Sequence, residues 1–112
     1  MSLPRQVTKY IELELQQYGV SKLKLEEKTQ YLPSNVLISL SNTVSAIGRV
    51  LDRLPEEYQA LQHLHFERGR SAEWCAAELH MDRSTIYRMK RKLIDAVASE
   101  LGLTRLRKMC DF

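Results

Sequence analysis

Apolar residues recur at helical spacing along most of the chain. Between Arg5 and Tyr18, the side chains of Val7, Ile11, Leu15 and Tyr18 fall on one face, and Gly19 is expected to stop that helix. Met1 to Pro4 reads as a short disordered lead, with Pro4 suited to a first helical turn. Val20 to Pro33 is read as a linker. Its Leu23, Leu25 and charged Lys24, Glu26, Glu27 and Lys28 fit either an extended segment or one or two turns of helix, and Pro33 disfavours helix at Leu32. A longer helix is expected from about Ser34 to Leu54, capped by Ser34 or Asn35 and ended by Pro55. Its Leu37, Leu40, Val44, Ile47, Leu51 and Leu54 repeat in steps of three and four, a heptad-like seam. Such a seam either packs inside the molecule or forms a homodimer interface, and the pattern alone leaves both open.

A third helix opens at Leu54-Pro55-Glu56-Glu57-Tyr58, with proline in the first turn and two acids at the positive end of the helix dipole. Tyr58, Leu61, Leu64 (or His65) and Phe66 give it an apolar side, and Gly69 ends it. The stretch from Ser71 to Leu93 then reads as a short helix, a tight turn and a second helix. Ser71 is placed to cap the first of these and Asp82 the second. Cys75 and Leu79 lie four apart and point inward, Ala76 is small enough for a close crossing, and Met81 plugs the turn. Ile86, Met89 and Leu93 give the last helix one buried stripe, continued by Ile94, Val97 and Leu101 to a stop at Gly102.

The other side of that last helix carries Arg83, Ser84, Thr85, Tyr87, Arg88, Lys90, Arg91 and Lys92. Arginine binds guanine bidentately, hydroxyls reach bases or phosphates, and lysine neutralises phosphates. Caps, small residue, turn plug, apolar stripe and basic face in one register point to a helix-turn-helix that binds double-stranded DNA in the major groove. Overall charge adds little, at +3 with an isoelectric point near 9.0, but its distribution adds more. Glu56, Glu57, Glu67, Glu73 and Glu78 precede the turn and the basic residues follow it, so one face suits a polyanion and another suits protein contacts.

The 44% hydrophobic and 28% charged fractions are those of a globular protein and exclude disorder throughout. Two cysteines, Cys75 and Cys110, are too few for a disulfide framework and fit a reducing compartment. With no signal-like or membrane-spanning run, a soluble protein in the cytoplasm is expected. No phosphate-binding glycine loop occurs, His63 and His65 face different directions, and no Ser/His/acid grouping stands out. No catalytic, cofactor or metal site is therefore expected.

From Leu51 onward the chain resembles the RinA/ArpU-type phage transcriptional regulators, whose C-terminal half is similar to region 4 of bacterial sigma factors. The resemblance is carried by Leu54-Pro55-Glu56-Glu57-Tyr58, Phe66, Gly69, Ala76, Glu78-Leu79-His80-Met81, Arg83 to Arg88 and Glu100-Leu101-Gly102-Leu103. It departs at Asp82, where serine is usual, at Trp74 in place of an acid, and at Cys75 in place of an aliphatic residue. It implies a phage protein that activates late genes in a bacterial host, with Arg83, Ser84, Tyr87 and Arg88 on bases and Thr85, Arg91 and Lys92 nearer the backbone. RNA polymerase is a further partner on this resemblance. Two rivals stand beside it: a small terminase subunit that binds DNA for packaging, and a protein-interaction module that docks on RNA polymerase.

The expected fold is an all-α helical bundle with a C-terminal sigma region 4-like helix-turn-helix. Residues 1–33 form a helix and linker, 34–54 the seam helix, 55–103 the DNA-binding domain, and 104–112 a tail carrying Arg105, Arg107 and Lys108.

Overall fold

In the computed structural model, residues 3–27 and 33–103 are described, and every regular element among them is helical. The order is α1 (Arg5–Glu26), α2 (Ser34–Arg53), α3 (Glu56–Leu61) running on into a π-helical turn (Gln62–Glu67), α4 (Ala72–Leu79) and α5 (Arg83–Glu100). The principal extents are 44 × 41 × 22 Å, so two helix layers fill the shortest dimension.

Helix α1 differs from its expected form at both ends. Leu3 is buried rather than part of a free lead, and Pro4 sits at the N-cap, its carbonyl accepting from the Thr8 amide at 3.1 Å. Gly19 does not stop the helix, which continues to Glu26, so the first seven residues assigned to a linker are helical. A glycine in a helix interior costs only about 1 kcal/mol, which packing overrides. Here Ser21 is buried beyond it, and the Gly19 backbone lies so close to the π turn that a β-carbon would stand 2.5 Å from Glu67 Oε1.

The seam of α2 faces mainly inward. Ile47 and Leu51 are buried, joined by Ala46 and Val50 that the seam did not include. Leu37, Leu40, Val44 and Leu54 are half-buried. Helix α2 packs on α1 and α5, which supply the partners the seam lacked in the linear sequence. Ile47 and Leu51 thus have no surface left for a second copy. Neither Ser34 nor Asn35 caps the helix, because Pro33 holds the N-cap, while Leu54 ends it in extended conformation before Pro55 as expected.

The third helix is interrupted. After Leu61 the chain widens into a π turn, which keeps Phe66 inward where strict α spacing points to Leu64 or His65. Gln62 is also buried there, its Nε2 donating to the Leu15 carbonyl of α1 at 2.7 Å. Gly69, with φ of 70°, ends the segment. No described helix is long and apolar enough to cross a membrane. The basic tail, with Arg105, Arg107, Lys108 and Cys110, lies outside the described residues.

Candidate nucleic-acid interface

The geometry of α4 follows from its first residue. Ser71 is extended, and its Oγ accepts from the Trp74 amide at 3.0 Å, closing the cap expected from sequence. Ala72, Cys75 and Ala76 are buried and Leu79 half-buried, while Glu73, Trp74, Ala77 and Glu78 face out. Burial pushes the Cys75 thiol up from its ordinary range.

Three residues, His80 to Asp82, reverse the chain between α4 and α5. His80 adopts the left-handed conformation (φ 55°, ψ 46°). The Met81 amide then donates to the Ala76 carbonyl at 2.9 Å and the His80 amide to Ala77 at 3.4 Å, the Schellman pattern that satisfies a helix end. Met81 packs against the core, as its position in the turn predicts. Asp82 occupies the N-cap of α5 in extended conformation, and its carbonyl accepts from Thr85 at 3.0 Å and Ile86 at 3.2 Å. Its carboxylate makes no capping hydrogen bond, so the expected side-chain cap is absent.

Helix α5 is sharply two-sided. Ile86, Met89, Leu93, Ile94, Val97 and Ala98 are buried, and α5 touches each of the four other α-helices. Arg83, Ser84, Tyr87, Arg88, Arg91 and Lys92 are exposed, and Thr85 and Lys90 are half-buried. The structure therefore brings six of the eight sequence-predicted contact residues to open surface on the first three turns. Lys90 stands apart, on the side of the buried stripe with its Nζ 5.9 Å from the Phe66 ring centroid.

Several of these side chains are held in place. Arg83 Nε donates to Glu73 Oε1 at 3.0 Å across the turn, and its guanidinium lies 5.4 Å from the centre of the Tyr87 ring. Arg88 donates to Thr85 Oγ1 at 3.2 Å one turn back. Such contacts restrain rotamers without burying charge, so the groups stay available to a polyanion.

Sequence reasoning missed two neighbours of this face. Arg70 lies 5.1 Å over the exposed Trp74 ring, adding a cation beside α4. On the other flank, Leu3, just before α1, and Thr8 and Glu12 of α1 line an open cleft of about 720 Å³ with Tyr87, Arg88, Arg91 and Asp95. No linear signal joins the start of the chain to α5; only the buried Leu3 and the inward side of α1, with Val7 and Ile11 buried, carry it there. Among the described residues no His, Cys, Asp or Glu cluster is arranged to hold a metal ion. Compared with protein-family models, with curated proteins and with solved structures, the chain matches none.

Proposed function

We propose that the protein is a sequence-specific regulator that binds double-stranded DNA, with α4 and α5 acting as a sigma region 4-like helix-turn-helix. The observation that carries this reading is the two-sided α5. A fully buried stripe fixes the helix against the core, and the opposite side presents Arg83, Ser84, Arg88, Arg91 and Lys92 to solvent with no acid of α5 between them, Arg83 being paired with Glu73 of α4. A three-residue turn sets α4 across its start, the spacing such motifs use to lay the second helix in the major groove.

In this reading Arg88 and Arg83 read base edges, Ser84 and Tyr87 lie beside them, and Arg91, Lys92 and Thr85 bind phosphates, with Lys90 at the margin. The resemblance to RinA/ArpU-type regulators gives the biological setting: activation of phage late genes in the cytoplasm of a bacterial host, upstream of RNA polymerase.

Selection of bound duplexes from a random pool tests this first and is expected to enrich one motif. On that motif, Arg88→Ala loses about 1–3 kcal/mol of binding and relaxes preference at one base pair, whereas Lys92→Ala weakens all sequences alike and lowers the salt slope by about one. No enrichment, or unchanged DNA binding in Arg83→Ala/Arg88→Ala, overturns direct readout and leaves docking on polymerase or packaging of DNA.

A further inference from the structure

Helix α1 has two apolar faces, and the fold covers only one. Val7, Ile11 and Leu15 are buried. On the other side Tyr10, Leu13, Val20 and Leu23 are 42%, 52%, 56% and 57% exposed, half of all the large apolar side chains that remain exposed among the described residues. Single exposed apolar residues are ordinary, but a strip of them along one helix marks a contact surface. Leu13, Gln16, Val20 and Leu23 follow heptad spacing, with Lys9 one step before and Glu27 one step after, all of them exposed.

We propose that a second copy of this chain docks on this strip, α1 against α1 in antiparallel orientation. The charges select both occupant and orientation. With Leu13 opposite the partner's Leu23, Gln16 meets the partner's Val20 and Lys9 meets the partner's Glu27, and each pair occurs twice by symmetry. A parallel pairing stacks Lys9 on the partner's Lys9 and Glu27 on the partner's Glu27, which repels at both ends. Gln16, polar within the seam, lowers affinity and favours one register. Acids and bases are interleaved along the helix, and in the antiparallel register Glu12 also faces the partner's Lys24, a complementarity that a second copy offers and an anionic lipid surface does not.

The helix is ~33 Å long, and one such pair covers less than the ~800 Å² per partner of a standard interface, the size class of weak, reversible contacts. This places self-association on α1 and not on the inward α2 seam, and it stands independently of DNA binding.

Sedimentation velocity of the full chain through the micromolar range, without DNA, tests the proposal. A reversible monomer–dimer equilibrium is expected. Leu13→Glu, with Val20→Glu as a second variant, leaves a monomer of unchanged helicity by circular dichroism. Lys9→Glu and Glu27→Lys each weaken the dimer about ten-fold, because each converts two attractive pairs to repulsive ones, and the double variant restores it. A wild-type monomer throughout, a dimer indifferent to both strip variants, or charge swaps without effect would each overturn the proposal.

Discussion

His80 is the only non-glycine among the described residues with positive φ. The chain solves the same problem at Gly69 and Gly102, whose φ values are 70° and 77°, with the residue that pays no steric penalty there. A β-carbon in that conformation costs about 1–2 kcal/mol, while glycine loses about 0.5–1 kcal/mol more entropy on folding. His80→Gly is therefore expected to stabilise the fold by roughly 0.5–1 kcal/mol. Urea unfolding reads this as a higher midpoint at unchanged slope. A lower midpoint would mean that the exposed imidazole makes a compensating contact. The turn itself was legible in the sequence, because Ser71, Ala76 and Met81 act within a few residues of one another. Its left-handed residue was not, since histidine is a far weaker signal of that conformation than the glycine usual there. Gln62 was equally hidden: its burial depends on the Leu15 carbonyl of another helix, and no local period carries that information.

Between elements, the ties are few and their signs differ. Glu100 on α5 accepts from Arg49 Nε at 2.7 Å and Arg53 Nη2 at 3.0 Å on α2, and the Arg49 hydrogen bond foremost holds its carboxyl below the ordinary range. A depressed folded pKa adds stability that is present above the unfolded carboxylate value and lost as pH falls through the folded one. Glu14 on α1 is the reverse case. It lines a groove with Val36, Ser39, Leu40 and Thr43 of α2, and burial raises its pKa. Its ionised form costs stability at neutral pH, and the cost fades as pH falls through that raised value. Thermal melts across the acid range are expected to separate the two. Glu100→Gln lowers the neutral melting temperature and flattens the acid loss, whereas Glu14→Gln raises it and removes a gain at mildly acid pH. Matching profiles for both variants would refute the assignment of opposite signs.

The turn between α4 and α5 carries a third tie, the exposed Glu73–Arg83 pair. Exposed pairs contribute about 0–1 kcal/mol to stability, so its weight falls on binding. Glu73→Gln is expected to leave the melting temperature within a few degrees and to tighten DNA binding, by freeing Arg83 and removing an anion near the phosphates. Weaker DNA binding in this variant would instead mean that Glu73 holds Arg83 in its reading position. The buried stripe of α5 could be read from sequence because it lies on one helix, whereas the α2 pattern marked a seam through Ile47 and Leu51 without telling whether it turned inward, and it passed over Ala46 and Val50. The extent of α1 could not: Gly19 resembles a stop, and the tracing of Val7, Ile11, Leu15 and Tyr18 left its second stripe, Leu13, Val20 and Leu23, without a role.

At the scale of the molecule, the strip on α1 and the basic face of α5 meet in one prediction. The cleft with Leu3, Thr8 and Glu12 sets α1 directly beside α5, so a dimer through α1 holds two α5 helices in one two-fold assembly. Under the proposed function, such a dimer is expected to bind paired inverted half-sites with avidity that a single half-site lacks, provided the spacing lets both engage. Leu13→Glu is expected to keep wild-type affinity for a duplex with one half-site and to lose at least ten-fold on the paired site at sub-micromolar protein. Arg88→Ala should weaken both duplexes. If Leu13→Glu weakens the single half-site as much as the paired one, α1 acts on α5 within one chain, and the dimer adds nothing to recognition. If neither duplex distinguishes Leu13→Glu from wild type while the free protein still dimerises, the two α5 faces point away from a common duplex.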